Sequence, residues 1–289
     1  MLEPGIYENV SAEEYHSDPC DRPSLSASIA KTIILQSEAH AWLEHPKLGG
    51  EPWEASERMD MGSLGHALML RQNRKVSLIP FKDYKTNEAK ALRKSAREQG
   101  AIPILEDKLP GAKEAADRLR DRLKLKYGVE LSGMSEVTVI WDEETEDGEL
   151  VRCRSQMDHV LLDAALIIDL KMTDDASPDA TERTISQLGY QIQGAAYVSA
   201  IEHAIPALAG RVAFELFCCE AFKPYAVTRA DFAGSMRELG RQKWKRAVNK
   251  WAKALRTNHW PDYPSETLHV EAKPWQLSRE AERTYVDGI

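Results

Sequence analysis

Two aspartates and a lysine in the second half of the chain have the types and spacing of a catalytic metal site. Asp158 lies in the segment 149–163, and Asp169 and Lys171 lie in the segment 165–173. Both segments are rich in β-branched residues, and only a short turn separates them. The pattern therefore predicts a β-hairpin that carries two acids and one base.

The register of this hairpin follows from its turn. If the strands turn at residues 163–164, antiparallel pairing sets Asp158 directly opposite Asp169. Side chains alternate along a strand, so Lys171 shares the face of Asp169, whereas Leu170 faces the core. Like charges opposite each other destabilise a sheet by up to about 1 kcal/mol, and this indicates a compensating cation.

Mg²⁺ is the cation that suits this arrangement. It prefers oxygen ligands in octahedral geometry and keeps several waters, so the carboxylates of Asp158 and Asp169, the carbonyl of Leu170 and a phosphate oxygen would fit. Mn²⁺ is expected to substitute. Lys171 could orient or deprotonate an attacking water, or stabilise charge on a pentavalent phosphate. Either role belongs to metal-assisted phosphodiester hydrolysis.

The same spacing has a structural interpretation. Asp158 and Lys171 could form a cross-strand ion pair, with Asp169 as a solvated edge residue. Against this stands the pair Ile167-Ile168 directly before Asp169, because an unpaired acid emerging from a buried strand would be costly.

The elements around the hairpin predict an α/β fold, with a central mixed sheet flanked by helices. Strand, long helix and strand in succession indicate a right-handed crossover, so the sheet is antiparallel at the hairpin and parallel at the crossover. The remaining patterns predict helices over about 56–71, 84–99, 107–127, 182–203 and 229–257, strands over 135–142 and 211–220, a loop at 100–105 and an irregular tail. As one domain, the chain divides into a helical part (about 1–130), a core (about 131–228) and a basic helix with its tail (about 229–289).

Composition narrows the class of protein. With 43% hydrophobic and 29% charged residues in 289, the chain can bury a full core. No segment is apolar enough for a membrane span, and the first residues do not form a signal peptide, so we expect a cytoplasmic protein with no membrane partner. The four cysteines have no CxxC spacing, and we expect reduced thiols without a zinc or iron–sulfur site.

Several ordered motifs make the chain similar to a known family. Together they resemble the PD-(D/E)xK nuclease superfamily with its restriction-endonuclease-like core, its RecB-like group, and within that group the RecE-like exonucleases. The chain departs from the family by having Ser155-Gln156-Met157 before its first aspartate, where Pro is usual. The motifs are PGIYENVSAEEYHS, SLSASIAKTI, MGSLGHALML, LVRCRSQMDHV, IIDLKMT, YQIQGAAY and a late Trp-Pro.

The resemblance implies roles for individual residues. His66 would be a metal ligand, Asp158 and Asp169 the shared metal carboxylates, and Lys171 the catalytic lysine. Glu136 looks like the additional acid that assists a second metal or its waters in related exonucleases. Without the family, His66 would be interpreted as a hydrogen-bonded core imidazole and Glu136 as an exposed strand end.

Gln193 and Tyr197 match the QxxxY motif of RecB-like enzymes. Four residues apart on a helix, they share one face, where they could grip the DNA backbone or hold Lys171. The structural alternative is a buried tyrosine capped by a glutamine.

Two further groups of residues could contact DNA. Arg22, Ser24 and Ser26 precede a helix, and its N-terminus and the hydroxyls could receive a terminal 5′ phosphate, although plain N-capping is the alternative. Near the C-terminus, the residues that recur at helical spacing and should face the core are Trp244, Val248, Trp251 and Leu255. The cations that should face outward, toward a DNA backbone or simply toward solvent, are Arg241, Lys245, Arg246, Lys250 and Lys253.

The combined prediction is a Mg²⁺-dependent exodeoxyribonuclease that degrades linear double-stranded DNA and releases 5′ mononucleotides. The resemblance implies a 5′ to 3′ polarity, a ring-shaped homotetramer, a single-strand annealing partner of the RecT type, and a role in recombination in a bacterium or phage. An endonuclease or single-strand nuclease on the same core remains an alternative. So does a DNA-binding module without activity.

Overall fold

The computed structural model describes residues 1–50, 56–70, 74–127 and 133–287. The strands are β1 (Gly5–Tyr7), β2 (Leu25–Ser26), β3 (Val76–Ile79), β4 (Ile102–Leu105), β5 (Met134–Glu144), β6 (Leu150–Leu161), β7 (Leu166–Thr173), β8 (Ala213–Glu220) and β9 (Val227–Asp231). The helices are α1 (Ala12–His16), α2 (Ala27–Leu35), α3 (Glu38–Glu44), α4 (Glu57–Met69), α5 (Asn87–Glu98), α6 (Leu109–Tyr127), α7 (Pro178–Gln187), α8 (Tyr190–Ala204), α9 (Gly234–Thr257) and α10 (Pro274–Asp287).

A mixed sheet forms the centre of the fold, as predicted. Its strand order is β1-β5-β6-β7-β8-β9, and β2 pairs with β6 at the side. β6 is antiparallel to both of its neighbours, β5 and β7, whereas β7 and β8 are parallel and joined through α7 and α8. The crossover predicted from the sequence is therefore present.

Helices cover both faces of this sheet. On one face Ile167 packs in a core that includes Ile192 and Ala196 of α8 and residues of α2 and α9. On the other face Ile168 packs with Leu119 of α6 and its neighbours. Because alternate residues of β7 enter different cores, the strand is buried on both sides, as its continuous apolar sequence requires.

Four local predictions differ from the structure. Residues 102–105 form β4, which pairs in parallel with β3, so the predicted loop at 100–105 is wrong. The helix predicted over 182–203 is two helices, because Gly189 adopts a left-handed backbone (φ 68°) that no helix interior accommodates. Residues 227–231 form β9 and not the start of a helix, and the tail contains α10. The predicted helix end at residue 71 lies outside the described residues.

The basic helix α9 buries the side it was predicted to bury. Trp244, Val248 and Trp251 are almost completely inaccessible to solvent. A side chain at Gly240 would place its Cβ 2.2 Å from the carbonyl oxygen of Gln191, so a glycine is required for α9 to approach α8 this closely.

Within the described residues, no helix combines the length and apolar character that a membrane span needs.

A buried ionic cluster holds the N-terminal segment against the sheet. Asp18 accepts hydrogen bonds from the backbone N–H and the hydroxyl of Ser24, at 2.9 and 2.7 Å. Its carboxylate also lies 3.2 Å from His45 and 3.3 Å from Arg154 of β6. Burial alone would raise the pKa of Asp18, but the hydrogen bonds and the charge of Arg154 outweigh it and hold this pKa well below its usual range.

Acid should therefore unfold the protein through Asp18. A carboxyl whose pKa is lower in the folded state contributes stability above its unfolded pKa, about 3.9, and loses it as the pH falls further. Between pH 5 and pH 3 we expect the free energy of unfolding to fall, with about 1 kcal/mol attributable to this residue. Urea titrations of Asp18→Asn should show a smaller pH slope than wild type. Asp163→Asn, which removes an exposed carboxylate, controls for the lost charge; equal slopes in all three proteins would contradict the prediction.

Candidate active site

The hairpin formed by β6 and β7 has the predicted register. Its described pairs are His159 with Ile168, Val160 with Ile167 and Leu161 with Leu166. The turn occupies residues 162–165. Extending this register by one residue sets Asp158 opposite Asp169.

The sheet is interrupted at Asp158 on both sides. The pairing of β6 with β7 stops at His159, the neighbour of Asp158. The pairing of β5 with β6 omits Glu136, which lies opposite Asp158. Glu136 has a left-handed backbone (φ 51°), which is uncommon for a residue with a side chain. Backbone strain of this kind costs on the order of 1–3 kcal/mol and is concentrated at functional sites. The row Glu136, Asp158, Asp169 thus crosses three strands where backbone pairing gives way to side-chain contacts.

Asp158 and His66 lie close together where the strand pairing is interrupted. The Asp158 carboxylate accepts a hydrogen bond from the N–H of Leu170 at 2.7 Å, and its other oxygen lies 3.6 Å from His66 Nδ1. The other ring nitrogen of His66 lies 3.2 Å from the carbonyl oxygen of Leu170. Beside His66 in α4, Gly65 leaves room for the side chain of Met172, which lets α4 approach β7 closely.

Asp169 is held by Lys171, and by Gln193, which was predicted to hold Lys171 or the DNA backbone. Lys171 Nζ lies 2.6 Å from Asp169 Oδ2, and Gln193 of α8 donates a hydrogen bond to Oδ1 at 2.7 Å. The Gln193 amide also donates to the hydroxyl of Tyr197 at 3.0 Å. Tyr197 in turn donates to the carbonyl oxygen of Gln156 at 2.8 Å. The QxxxY pair therefore joins α8 to both strands of the hairpin.

Charge and burial shift the pKa values of this group. Burial raises the pKa of Asp169, against the opposing effect of Lys171. For Lys171, burial would lower the pKa, but the carboxylates of Asp169 and Asp158 more than compensate and raise it. Burial, with Asp169 nearby, also raises the pKa of Tyr197 well above its usual range. Lys171 is therefore a cation here, which favours charge stabilisation over proton abstraction.

The residues present fit a divalent metal ion. Asp169 Oδ2 is buried, and within the described residues only the ion pair with Lys171 satisfies it, without a hydrogen bond of good geometry. Asp158, the Leu170 carbonyl and His66 supply further oxygen and imidazole donors near it. As the side chains stand, no three His, Cys, Asp or Glu residues in the described ranges converge on one point. Asp158, Asp169, the Leu170 carbonyl and His66 are the groups that would hold such an ion.

Glu136 lies near this row but is engaged elsewhere. Its carboxylate is 3.6 Å from Arg74, and both side chains are about one-third exposed, at 33% and 34%. Its predicted role as an additional acid stays a prediction. The left-handed backbone that singles it out could not be recognised from its residue type.

Two residues of the site were missed in the sequence. The ammonium group of Lys31, in α2, donates a hydrogen bond to the side-chain amide oxygen Oε1 of Gln193 at 3.3 Å. The Lys31 and Lys171 ammonium groups lie 5.5 and 5.4 Å from the centre of the Tyr190 ring. Tyr190 begins the motif YQIQGAAY, so its position was visible, but nothing in the sequence linked Lys31 to β7.

The structure does not bring Arg22, Ser24 and Ser26 to the hairpin acids. Ser24 is fully buried and bonded to Asp18, and Ser26 caps α2 by accepting a hydrogen bond from Ile29 N–H. The N-capping alternative thus describes Ser26. Arg22 forms an ion pair with Asp142 at 3.0 Å. Their predicted contact with a 5′ phosphate gains no support from these positions and stays a prediction.

The cations of α9 face outward, as predicted. Arg241 pairs with Glu238 of the same helix at 2.6 Å, and Lys250 pairs with Glu38 of α3 at 2.9 Å. Lys245 and Lys253 are exposed. Part of the positive charge is thus already neutralised, and binding of DNA by this face stays a prediction.

Comparisons with known proteins agree with this geometry. Residues 26–273 match a family described as a PDDEXK-like domain of unknown function (DUF3799). No curated protein matches the sequence at a significant level.

Two solved structures are similar to the chain. A candidate exonuclease from Eubacterium rectale has a TM-score of 0.60 at 15% identity, covering 94% of this chain and 99% of that one. At this identity the likeness shows a shared fold. A phage-related exonuclease from Haemophilus somnus 129PT has a TM-score of 0.34 at 11% identity, covering 82% of this chain and 96% of that one, too low to support a conclusion.

Proposed function

Because the chain belongs to the DUF3799 family of PDDEXK-like domains, we propose that it is a metal-dependent exodeoxyribonuclease acting on the ends of linear double-stranded DNA. The observation that carries this proposal is the contact set of Asp169: Lys171 on one carboxylate oxygen and Gln193 on the other, beside Asp158. An acid pair, a lysine and an amide at one gap in a sheet are the groups that phosphodiester hydrolysis needs.

Mg²⁺ is the metal we propose for this site, with Mn²⁺ as a substitute. Asp158, Asp169, the Leu170 carbonyl and His66 would hold it. A bound ion of this kind supplies a water of lowered pKa and a positive charge on the phosphate oxygens. Leu170 N–H fixes the orientation of Asp158, and a hydrogen bond of this type keeps a ligating carboxylate in place.

Side chains of the protein would stabilise charge on the phosphate and keep Asp169 in its orientation. Lys171, a cation beside Asp169, would stabilise the charge that develops on the phosphate. Gln193 is anchored by Tyr197, and Tyr197 by the Gln156 carbonyl, so the amide that holds Asp169 is itself rigid. Rigid support of this kind preserves the geometry on which the rate depends.

The finer parts of the proposal come from the resemblance to the RecE-like exonucleases. They are the 5′ to 3′ polarity, release of 5′ mononucleotides, a ring-shaped homotetramer around the DNA, an annealing partner of the RecT type, and recombination in the cytoplasm of a bacterium or phage host. One solved structure of the same fold, from Eubacterium rectale, is itself called a candidate exonuclease.

A labelled linear duplex and a covalently closed circle of the same sequence test the proposal. With Mg²⁺ we expect the linear DNA to be degraded to mononucleotides and the circle to survive, because an exonuclease needs an end. A 5′ label should be released before a 3′ label if the proposed polarity is right. Degradation of the circle at a comparable rate would establish an endonuclease instead. No degradation of either DNA, with Mg²⁺ or Mn²⁺, would leave a DNA-binding module.

A further inference from the structure

Lys31 lies beside the acids of the site although it is not part of the hairpin. Its ammonium group donates to Gln193 Oε1 at 3.3 Å, and Gln193 contacts Asp169 through its other amide atom. The chain of contacts therefore runs from Lys171 through Asp169 and Gln193 to Lys31. Two cations stand at its ends, and Tyr190 lies beside both.

The backbone at the α7–α8 junction fixes the direction of the Lys31 side chain. Gly189 is so close that a Cβ there would lie 3.1 Å from Lys31 Cγ and 3.3 Å from Leu35. The aliphatic stem of Lys31 thus packs on this glycine, and its charged end is directed along α8 toward Gln193. The packing of α2 against α8 therefore sets the position of the Lys31 ammonium group.

Among the described residues, Lys31 has no carboxylate within ion-pair distance, and its hydrogen bond is to a neutral amide. Burial disfavours its charged form and Lys171 repels it, so its pKa falls to about 8 despite the attraction of Asp169. A half-buried ammonium without an anion costs free energy, which an anion from outside would recover.

The charges of the site identify that anion. The carboxylates of Asp158 and Asp169 formally cancel the ammonium groups of Lys31 and Lys171, so a bound divalent ion leaves the site positive. A phosphodiester and an attacking hydroxide would restore the balance. Lys171 and Tyr190 also line a surface cleft, which gives such a ligand access from solvent.

We propose that Lys31 binds a non-bridging oxygen of the phosphate that is hydrolysed, and forms with Lys171 a pair of ammonium groups on the two sides of the reacting group. This rests on the proposed nuclease function and adds a catalytic residue to it. Tyr190 is the shared support of the two cations, through the attraction between an ammonium group and an aromatic ring.

Lys31→Met tests this assignment, because methionine keeps the stem that packs on Gly189 and removes the charge. Hydrolysis of a linear duplex with Mg²⁺ should lose about 10–100-fold in kcat, and binding of the same duplex with Ca²⁺ should weaken several-fold. Lys31→Arg should recover part of both. Mn²⁺ affinity measured by calorimetry should not weaken, because Lys31 does not contact the proposed ligands and its removal takes away a positive charge near Asp169. Lys90→Met, an exposed lysine on α5, should match wild type.

A sulfur substitution in the DNA separates direct contact from a structural role. Replacing one non-bridging oxygen of the terminal linkage by sulfur slows an enzyme that contacts this oxygen, and two changes at one contact are not additive. For one diastereomer, the penalty should therefore be smaller in Lys31→Met than in wild type.

Strictly additive penalties for both diastereomers, or a Lys31→Met enzyme within twofold of wild type in kcat and in Ca²⁺-dependent binding, would overturn the assignment. If wild type cleaves no DNA, the proposed function fails. The Ca²⁺ binding comparison still decides whether Lys31 contacts phosphate. If Lys31→Met does not fold, Lys31→Arg and the sulfur series on wild type decide.

Discussion

Asp169→Asn should abolish metal-dependent cleavage and also the thermal stabilisation that we expect Mg²⁺ to give the wild type. A ligand that binds only the folded state raises the melting temperature, and the rise grows with the logarithm of its affinity, so metal binding can be measured without substrate. Asparagine keeps the size of the side chain and an oxygen for the Gln193 amide, but it lacks the charge that holds a cation. We expect a loss of at least about 10³-fold in kcat.

The matched control for this variant is Asp163→Asn in the turn of the same hairpin. It removes one carboxylate from an exposed position and should keep both activity and the Mg²⁺-dependent rise in melting temperature. Retention of that rise in Asp169→Asn, together with more than a tenth of the activity, would show that Asp169 is not a ligand.

Lys171→Met should lose about 10³-fold in turnover and yet bind Mn²⁺ as tightly as wild type, or more tightly. The reason is competition, since the Lys171 ammonium lies 2.6 Å from the same Asp169 oxygen that a metal would use. Removing the ammonium leaves this oxygen open to the metal but takes away charge stabilisation at the phosphate. Calorimetric titration with Mn²⁺ and single-turnover hydrolysis separate the two effects.

Lys171→Arg is the informative companion of this variant. It keeps the positive charge with a different shape, so an activity between those of wild type and Lys171→Met is expected. A parallel loss of metal binding and turnover in Lys171→Met would assign the lysine to the metal site and not to the phosphate.

The hairpin could be predicted from the sequence because local rules determine it. Turn residues fix the register, strand alternation fixes the face, and both place Asp158 near Asp169 with Lys171 beside it. Gln193 and Tyr197 were identified by the resemblance to the QxxxY motif, and helix periodicity then places both on one face.

What the sequence did not reveal depends on tertiary packing or on single backbone angles. Lys31 reaches the site only because α2 packs on α8 at Gly189, and no local pattern encodes that approach. Glu136 carries a left-handed backbone without being glycine or asparagine. The strand at 102–105 is read as a loop because its pairing partner, β3, is remote in the sequence.

The interruption of both ladders at Asp158 has a consequence for local stability. Backbone amides that lack inter-strand partners open more easily than those of a continuous sheet. The row Glu136, Asp158, Asp169 is therefore a site of low local stability in the hydrogen-bonded sheet. A cation held by Asp158 and Asp169 would link β6 and β7 through their side chains. Its binding free energy would then appear as slowed amide exchange along β6 and β7, and the apo protein would be the form most open to proteolysis there. If a metal binds in this gap, the central sheet would also depend on it.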